Sequence, residues 1–381
     1  MTTNYDAIVL GCGGFGSSAL YHLARRGVRV LGIDRFSPPH DRGSSHGETR
    51  MIRKAYFEHP DYVPLLKRAY ALWRELEEQT SQKLYHETGL LIVGQPDGPT
   101  IPGAKLAARM HDLPLVEIPQ SDFNSKAPGF RLPEGYAALI EPEAGYLMVD
   151  ECQQAHLDLA QKHGAVLQSD ETVIHWESDG KGVIVETDRG RYSASRLVIT
   201  AGPWAGQVLN ALNIPLTVSR KPLFWFPIRN AQSPLYTPGL CFFYEMPWGE
   251  FYGFHCRDGE TIKAAEHSGG EEVADPLTVD RTCTASDLIG LSQFLEQGMP
   301  DLSPEPIQSS VCMYTRTPDR NFIVDRHPEY PHVVLGCGFS GHGFKFTSVI
   351  GETLSQLALD GRTDHPIDFL RLDRPALQSK R

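Results

Sequence analysis

The sequence lacks the features that mark membrane, disulfide-stabilised and nucleic-acid-binding proteins. No apolar run approaches the ~20 residues that a membrane-spanning helix requires. Its seven cysteines are odd in number, scattered and without CxxC spacing, which argues against a disulfide framework and against a metal site. The net charge of −11, with no basic tract, argues against a nucleic-acid partner. We therefore expect a reducing compartment, no metal, no membrane contact and no nucleic-acid partner.

We recognise no targeting signal at either end of the sequence. The start, MTTNYDAIVLG, passes directly into a predicted strand and leaves no room for a secretory signal. The last residues, QSKR, differ from the Ser-Lys-Leu signal for peroxisomes. We expect a cytoplasmic protein. A chain of 381 residues that is 41% hydrophobic can bury a large core and is expected to form two domains, or three.

The N-terminal segment predicts a dinucleotide-binding βαβ unit. Residues 7–10 (AIVL) predict a short strand, and GCGGFG at 11–16 is a GxGxxG turn before a helix. A second predicted strand ends before Asp34, which lies 23 positions after Gly11. Strand, turn, helix and acid at this spacing favour binding of a pyrophosphate and a ribose over a purely structural glycine turn. The predicted cofactor-binding residues of this unit are Gly11, Gly13, Gly14, Gly16 and Asp34.

Further along the chain, periodicity predicts more helices and strands of an α/β fold. Helical spacing of apolar residues covers residues 61–78, 152–163 and 346–360. Apolar strand patterns cover residues 165–167, 183–186, 196–200, 322–325 and 333–335. Residues 86–145 are rich in proline and glycine, and residues 222–311 are aromatic and turn-rich, as in an antiparallel sheet. The dinucleotide-binding fold is thus expected to be discontinuous and opened by two insertions.

Cys312 lies in an unusually polar stretch, SVCMYTRTPD. A cysteine is most often a small buried apolar residue, and this interpretation is one alternative. The other is a thiol placed for chemistry. The residues alone leave both open.

Four sequence blocks carry a likeness to a known family. They are GCGGFG with Asp34, RGSSHGETRMIRKAY at 42–56, CMYTRTPDRNFIVDRHPE at 312–329 and GFSGHGFKF at 338–346. With these blocks the chain resembles the monomeric sarcosine oxidase family of flavoprotein amine oxidases, whose relatives include sarcosine/pipecolate and N-methyltryptophan oxidases. The likeness covers nearly the whole chain, and the last two blocks are far more specific than GxGxxG.

The resemblance implies a fold and domain boundaries. It implies an FAD-binding Rossmann-like domain of the glutathione-reductase type, with an inserted α+β substrate domain built on an antiparallel sheet. We expect the FAD-binding domain at residues 1–85, 146–221 and 312–381. The substrate domain is expected at residues 86–145 and 222–311.

The resemblance also implies the residues that hold FAD. In that family the cysteine of CMYT carries the flavin through a thioether, and Cys312 matches it. Arg50 matches an arginine that lies against the flavin. The glycine-rich loop at 338–343 precedes a helix, so its N–H groups can face the negative charge of a reduced flavin. The alternative is that these glycines have only a structural role, in forming the turn before the helix. The remaining implied FAD contacts are Ser45, His46, Thr49, Val173, Gly202, Gly338, Gly341, Gly343 and Lys345.

A small amino-acid substrate brings a carboxylate, which an arginine binds well. Arg50 and Arg53 would share one face if their segment were helical, although paired surface arginines are the ordinary alternative. The resemblance implies that Arg53 and Lys345 bind the substrate carboxylate.

The resemblance implies further active-site residues. Lys263 matches the family lysine that promotes the reaction with oxygen, but from the sequence alone it is better explained as a solvent-exposed strand lysine. His267, Tyr252 and Tyr314 match residues that line the substrate pocket. Because residues 226–262 diverge most from the family, Trp248, Phe251 and His255 are expected to reshape that pocket.

The expected reaction is FAD-dependent oxidation of a secondary amino acid by O₂ to an imine and H₂O₂. Sarcosine is the first candidate and would give glycine and formaldehyde. L-Pipecolate or L-proline is the second candidate and N-methyl-L-tryptophan the third, since RGSSHGETR and DRHPE look closest to the sarcosine/pipecolate branch. We expect a monomer. The alternatives from other classes are an NAD-dependent dehydrogenase and a non-catalytic dinucleotide-binding protein.

Overall fold

The computed structural model describes residues 3–237 and 239–378. Its strands are β1 (Thr3–Leu10), β2 (Val30–Ile33), β3 (Thr49–Ile52), β4 (Tyr85–Glu87), β5 (Leu90–Gly94), β6 (Val116–Ile118), β7 (Ala137–Glu141), β8 (Gly145–Met148), β9 (Val166–Gln168), β10 (Val173–Ser178), β11 (Val183–Thr187), β12 (Arg191–Ile199), β13 (Thr217–Pro227), β14 (Cys241–Met246), β15 (Gly249–Gly253), β16 (Thr261–Glu266), β17 (Gln308–Arg316), β18 (Ile323–Arg326) and β19 (Val333–Cys337). Its α-helices are α1 (Gly14–Ala24), α2 (Tyr62–Thr80), α3 (Thr100–His111), α4 (Phe123–Lys126), α5 (Val149–Lys162), α6 (Ala205–Val208), α7 (Ile289–Gly298) and α8 (Thr347–Asp360).

The first sheet is built around β1, which pairs in parallel with β2 on one side and β12 on the other. The strand order is β10-β11-β12-β1-β2-β9, and β19 extends the sheet from the last residues of β12. Successive side chains of a strand point to opposite faces. Accordingly Ala7 and Val9 pack with helices α1, α2, α5 and α8, whereas Ile8 and Leu10 pack into the core on the other face. A central strand buried on both faces explains the uninterrupted AIVL run.

The second sheet has the order β17-β13-β16-β15-β14-β5-β7-β6 and is antiparallel except where β14 pairs with β5. Its core is aromatic, with the rings of Phe251 and Phe294 stacked 5.0 Å apart. The antiparallel, aromatic character predicted for residues 222–311 is confirmed. A third, three-stranded sheet joins β3, β8 and β4.

The predicted helices at 61–78, 152–163 and 346–360 are confirmed as α2, α5 and α8. The local helix considered for Arg50 and Arg53 is wrong, because Thr49–Ile52 is strand β3, paired with β8. Arg50 lies within that strand and Arg53 directly follows it.

The mixed α/β class is confirmed, whereas the domain boundaries stay a prediction. The predicted ranges include residues 1, 2, 238 and 379–381, which lie outside the described residues. Among the helices of the described segments, none is long and apolar enough to cross a membrane.

Candidate active site

One cavity collects most of the predicted site residues from distant parts of the chain. It is lined by the ends of β1 and β2, residues 43–45, β3, β17 and the loop at 338–343. The predicted residues that line it are Gly11, Gly13, Gly14, Asp34, Ser45, Arg50, Arg53, Val173, Gly202, Tyr252, His267, Tyr314, Gly338, Gly341, Gly343 and Lys345. The predicted residues that do not line it are Gly16, His46, Thr49, Lys263 and Cys312.

The glycines of the GxGxxG turn have different tasks. A Cβ at Gly16 would lie 1.7 Å from the Gly11 carbonyl oxygen, and one at Gly11, whose φ is +83°, would lie 2.6 Å from the Thr200 oxygen. These two glycines allow the close packing of strand and helix. A Cβ at Gly13 would have no atom within 4 Å, so its space belongs to the cavity. Gly11 lines the cavity with its backbone, and Gly13 and Gly14 line it at the start of α1.

The cavity fits the diphosphate and adenosine portions of FAD. Gly13 caps α1 without a side-chain hydrogen bond, so the first N–H groups of this helix are available to an anion. The Asp34 carboxylate lies in the cavity wall and is held there by the backbone N–H groups of Cys12, at 2.7 Å, and Phe36, at 2.9 Å. Two buried donor atoms of the wall, Arg35 Nη1 and Trp204 Nε1, have no partner within the described chain. Donors without partners are expected where a polar ligand binds.

Cys312 lies on β17 with its Sγ pointed at a cation. The Sγ atom is 3.3 Å from Arg50 Nη2 and 3.4 Å from the Ser44 carbonyl oxygen. Arg50 Nη2 also donates to the Ser44 oxygen at 3.0 Å, so the three groups form one cluster. Cys312 is a free thiol and is buried. Burial alone suits a packing residue, but the contact with Arg50, which lines the cavity, also places the sulfur beside the site.

Lys263 lies on β16 and is only 3% exposed, so its interpretation as a solvent-exposed strand lysine is wrong. Its ammonium donates to the carbonyl oxygens of Gly47 and Thr49 and, at 3.1 Å, to Thr49 Oγ1. Three acceptors match the three hydrogens of an ammonium group. Burial, and then the charge of Arg50, lower the pKa of Lys263 well below its ordinary value. These hydrogen bonds hold the Lys263 ammonium group against the start of β3, the strand that carries Arg50.

Arg53 is buried with a carboxylate that the sequence analysis missed, Glu58. Arg53 Nη2 lies 2.6 and 2.7 Å from the two oxygens of Glu58, and Nη1 donates to the Ala55 oxygen at 3.1 Å. Burial raises the pKa of Glu58, but Arg53 outweighs it and lowers this pKa to about 2. The only sequence signal for the pair is an acid five positions after Arg53, two residues beyond the end of the family-like block at 42–56.

Lys345 faces the same part of the cavity from the turn before α8. Its Nζ donates to the His342 carbonyl oxygen at 2.7 Å. Burial, and then the nearby charge of Arg53, lower the pKa of Lys345 to about 7. His342 in turn is hydrogen-bonded through Nδ1 to the buried hydroxyl of Tyr56, whose ring lies 4.4 Å from the Arg53 guanidinium carbon.

Aromatic side chains form the rest of the pocket wall. His267 Nδ1 lies 3.3 Å from the Tyr314 hydroxyl, and its ring is 6.2 Å from that of Tyr252. Burial, and then Lys221, lower the pKa of His267 well below its ordinary value, so its imidazole is neutral. Phe243, 6.2 Å from the His267 ring, is a wall residue that no sequence signal indicated.

The expectation that Trp248, Phe251 and His255 reshape the pocket is wrong. None of the three lines the cavity. Phe251 is fully buried in the aromatic core of the second sheet, with Trp248 packed beside it, and His255 lies against Tyr146 at 5.4 Å. Side chains alternate between the faces of a strand, so Phe251 on β15 points away from the cavity that its neighbour Tyr252 lines. Trp248, in the turn before β15, packs beside Phe251.

Comparison with known proteins places these observations in a family. The model of the family described as FAD dependent oxidoreductase matches residues 6–357. The chain is 40% identical over 385 residues to monomeric sarcosine oxidase of Bacillus sp. (strain NS-129), covering 100% of this chain and 99% of that protein. It is 35% identical over 371 residues to N-methyl-L-tryptophan oxidase of Yersinia pestis (strain Pestoides F), covering 96% and 97% of the two chains.

The fold is also similar to that of a solved structure. This structure is the open form of NikD, an unusual amino acid oxidase essential for nikkomycin biosynthesis. The TM-score is 0.85 at 26% identity, and the likeness covers 97% of this chain and 98% of the other.

Proposed function

We propose that this chain, which belongs to the family of FAD-dependent oxidoreductases, oxidises the N-methyl group of sarcosine with oxygen as the acceptor. The chain is a flavin oxidoreductase that acts on a CH–NH bond with oxygen, and its relatives support N-methyl amino acids as the substrate class. This excludes the two alternatives of an NAD-dependent dehydrogenase and a non-catalytic protein. Sarcosine is proposed first because the 40% identity to a monomeric sarcosine oxidase exceeds the 35% to an N-methyl-L-tryptophan oxidase.

The observation that carries the proposal is the pair of buried cations at one end of the cavity. Arg53 and Lys345 are 3% and 5% exposed, and both line the cavity beside His267 and Tyr252. A substrate carboxylate bound there would leave its amine facing the aromatic wall. Buried cations select strongly for an anionic partner.

Glu58 changes how strong that selection is expected to be. The resemblance implies that Arg53 and Lys345 are both free to bind the substrate carboxylate. In the structure, however, Arg53 already forms an ion pair with the carboxylate of Glu58. An amine without a carboxylate would therefore leave only Lys345 unpaired, and Lys345 with a pKa of about 7 can lose its proton. We propose selection for amino acids over simple amines that is real but moderate, about 10- to 100-fold.

The proposed reaction balances as sarcosine, O₂ and H₂O giving glycine, formaldehyde and H₂O₂. FAD, when bound, supplies the capacity to take two electrons with hydrogen from the methyl carbon and to pass them to O₂. Arg53 and Lys345 hold the carboxylate. Neutral His267 can accept a hydrogen bond from the substrate nitrogen, which must be unprotonated so that its lone pair forms the C=N bond.

We propose that Cys312 holds FAD covalently. Formation of a thioether to the 8α-methyl group breaks the S–H bond and one methyl C–H bond, and O₂ takes the two electrons and two protons as H₂O₂. The proximity of Sγ to Arg50, at 3.3 Å, supports this role because it places the sulfur beside a residue of the cavity wall. We also propose that Lys263 promotes the reaction with oxygen and that the protein is a monomer, as the name of its Bacillus relative suggests. The cytoplasmic location stays a prediction.

A substrate panel tests the proposed function. We would measure kcat/KM from H₂O₂ release for sarcosine, L-pipecolate, L-proline, N-methyl-L-tryptophan and an N-methylamine without a carboxylate. Sarcosine is expected to give the highest value. If N-methyl-L-tryptophan exceeds sarcosine, the substrate is wrong and the reaction class stands. If the carboxylate-free amine equals the best amino acid, the carboxylate site at Arg53 and Lys345 is wrong.

A further inference from the structure

The last residue of β7, Glu141, carries a carboxylate into the interior of the protein. Its residue is 1% exposed, and the mechanism proposed above does not use it. Oε1 accepts the backbone N–H of Lys54 at 2.5 Å, and Oε2 accepts that of Ala55 at 3.0 Å. These two N–H groups belong to the residues directly after Arg53. A side chain from the second sheet therefore holds the backbone on which Arg53 depends.

The connection continues to the guanidinium group. Ala55, whose N–H is bound by Glu141, offers its carbonyl oxygen to Arg53 Nη1 at 3.1 Å. Nη2 of Arg53 is held by Glu58. The guanidinium group thus has two anchors, and one of them is fixed in place by Glu141.

Only a carboxylate satisfies this arrangement fully. It offers acceptors on both oxygens, whereas an amide of the same shape would turn its NH₂ toward one of the two N–H groups. Burying a carboxylate is costly unless it is hydrogen-bonded and near positive charge. Burial raises the pKa of Glu141, and the two N–H groups together with Arg53 and Lys54 counteract the rise. The two hydrogen bonds and the nearby cations thus favour the ionised form of the buried Glu141 carboxylate.

We propose that Glu141 is a positioning residue that holds Arg53 in the geometry that binds the substrate carboxylate, and so sets the preference for amino acids over amines. This inference rests on the proposed role of Arg53. Glu141 itself touches neither substrate nor cofactor.

A role of Glu141 through its charge and a role in positioning Arg53 predict opposite effects of Glu141→Gln on KM. If Glu141 acted only through its charge, its removal would lessen the repulsion of an anionic substrate at Arg53 and Lys345, and KM would fall. If Glu141 positions Arg53, the substitution disturbs the Ala55 anchor and KM rises. If it serves stability alone, the melting temperature falls and KM stays constant.

The experiment compares purified flavin-containing variants. Glu141→Gln is expected to raise KM for the best amino acid of the panel roughly tenfold, with kcat changed less than about threefold, because misplaced binding groups act mainly on affinity. KM for the carboxylate-free N-methylamine is expected to stay constant. Glu143→Gln is the matched control. Glu143 lies two residues further, is 43% exposed in its side chain and pairs with the side chain of Lys54 instead of its backbone, so KM should not change.

Glu141→Asp provides a second, independent variant. It keeps the charge but withdraws the oxygens from the N–H groups, so positioning predicts a raised KM and a pure charge effect predicts none. A KM that falls or stays constant in both variants overturns the proposal. Failure of the proposed function has another signature: wild-type protein itself would show no preference for the carboxylate-bearing substrate, before any variant is compared.

Discussion

Arg53 and Glu58 form an ion pair in the cavity wall, with Arg53 Nη2 at 2.6 and 2.7 Å from the two oxygens of Glu58. The side chains are 4% and 21% exposed. A substrate carboxylate that binds Arg53 must share it with Glu58 or displace it. The pair therefore limits substrate affinity while it keeps the arginine from being buried alone.

Glu58→Gln tests this competition. The variant is expected to bind sarcosine more tightly, with KM lowered roughly tenfold, because the substrate becomes the only full negative charge on Arg53. The substrate-free protein should lose stability, at most about 3–5 kcal/mol since Glu58 is partly exposed. The melting temperature with and without sarcosine measures both effects. An unchanged KM would mean that Glu58 and the substrate do not compete.

Cys312→Ala is expected to abolish covalent attachment. Acid or urea should then release all of the yellow flavin from the precipitated protein, whereas the wild-type pellet keeps its colour. Cys337→Ala is the control, because Cys337 is equally buried but lies at the end of β19 beside the glycine-rich loop. A yellow pellet from Cys312→Ala would move the attachment to another thiol, and Cys337 would be tested first.

Lys263→Met should separate the two half-reactions. Reduction of the flavin by substrate is expected to persist, and reoxidation by O₂ should slow about 10²–10³-fold, as for loss of one preorganised electrostatic group. Because the pKa of Lys263 is lowered by burial and Arg50, wild-type reoxidation should also slow as pH rises, and the variant should lose this dependence. Stopped-flow traces measure both rates. Lys221→Met is the control for reoxidation, because this buried lysine of β13 donates to the Ser268 carbonyl oxygen and not to the strand that carries Arg50.

The pH dependence of KM should report Lys345. With a pKa of about 7, Lys345 is an ammonium group at pH 6 and is largely neutral at pH 9. Its attraction for the substrate carboxylate is therefore lost as pH rises above about 7, and KM should increase at least several-fold between pH 6 and pH 9. In Lys345→Met, KM should be high and constant with pH. A pH-dependent KM in this variant would assign the titration to another group.

We expect kcat to rise between about pH 6 and about pH 9, because the substrate nitrogen must lose its proton before its lone pair can form the C=N bond. Burial, and then Lys221, hold the pKa of His267 well below its ordinary value, so His267 does not cause this rise. The rise is expected to follow the amine of the bound substrate. This is checked by measuring kcat against pH for substrates whose amines differ in pKa. The pH at which kcat rises should shift with the pKa of the substrate amine.

Gly13→Ala tests the diphosphate site without disturbing the fold. The position has φ −66° and open space around a Cβ, so the melting temperature of the flavin-free protein should stay within about 1 °C. The added methyl group would occupy cavity space, and in the Cys312→Ala background, which lacks the covalent bond, FAD should bind at least about tenfold more weakly. Gly16→Ala is the contrast, since its Cβ would lie 1.7 Å from the Gly11 oxygen and must prevent correct folding. Unchanged FAD affinity in Gly13→Ala would place the diphosphate elsewhere.

Local patterns in the sequence determined several elements of the fold and a dinucleotide as the class of cofactor. Periodicity predicted α2, α5 and α8 closely, because one face of each helix must be apolar to pack on a sheet. The GxGxxG turn and Asp34 predicted the dinucleotide site, because both lie in one βαβ unit of consecutive residues. The resemblance to a family then indicated Arg53, Lys345, His267 and Cys312 by position. Whether those residues share a cavity was not determined by any local pattern.

The tertiary structure decided which partner each functional side chain has. Lys263 could be a solvent-exposed lysine until the pairing of β16 placed it behind β3, 214 positions away from Thr49 in the chain. Glu141 gave no signal in the sequence, because its role depends on two N–H groups 86 and 87 positions away. Burial and charge set the pKa values of Lys345, His267 and Glu58, and both depend on contacts between distant segments. Such contacts follow from the packing of whole sheets. A short stretch of sequence does not specify which distant segments will pack against it.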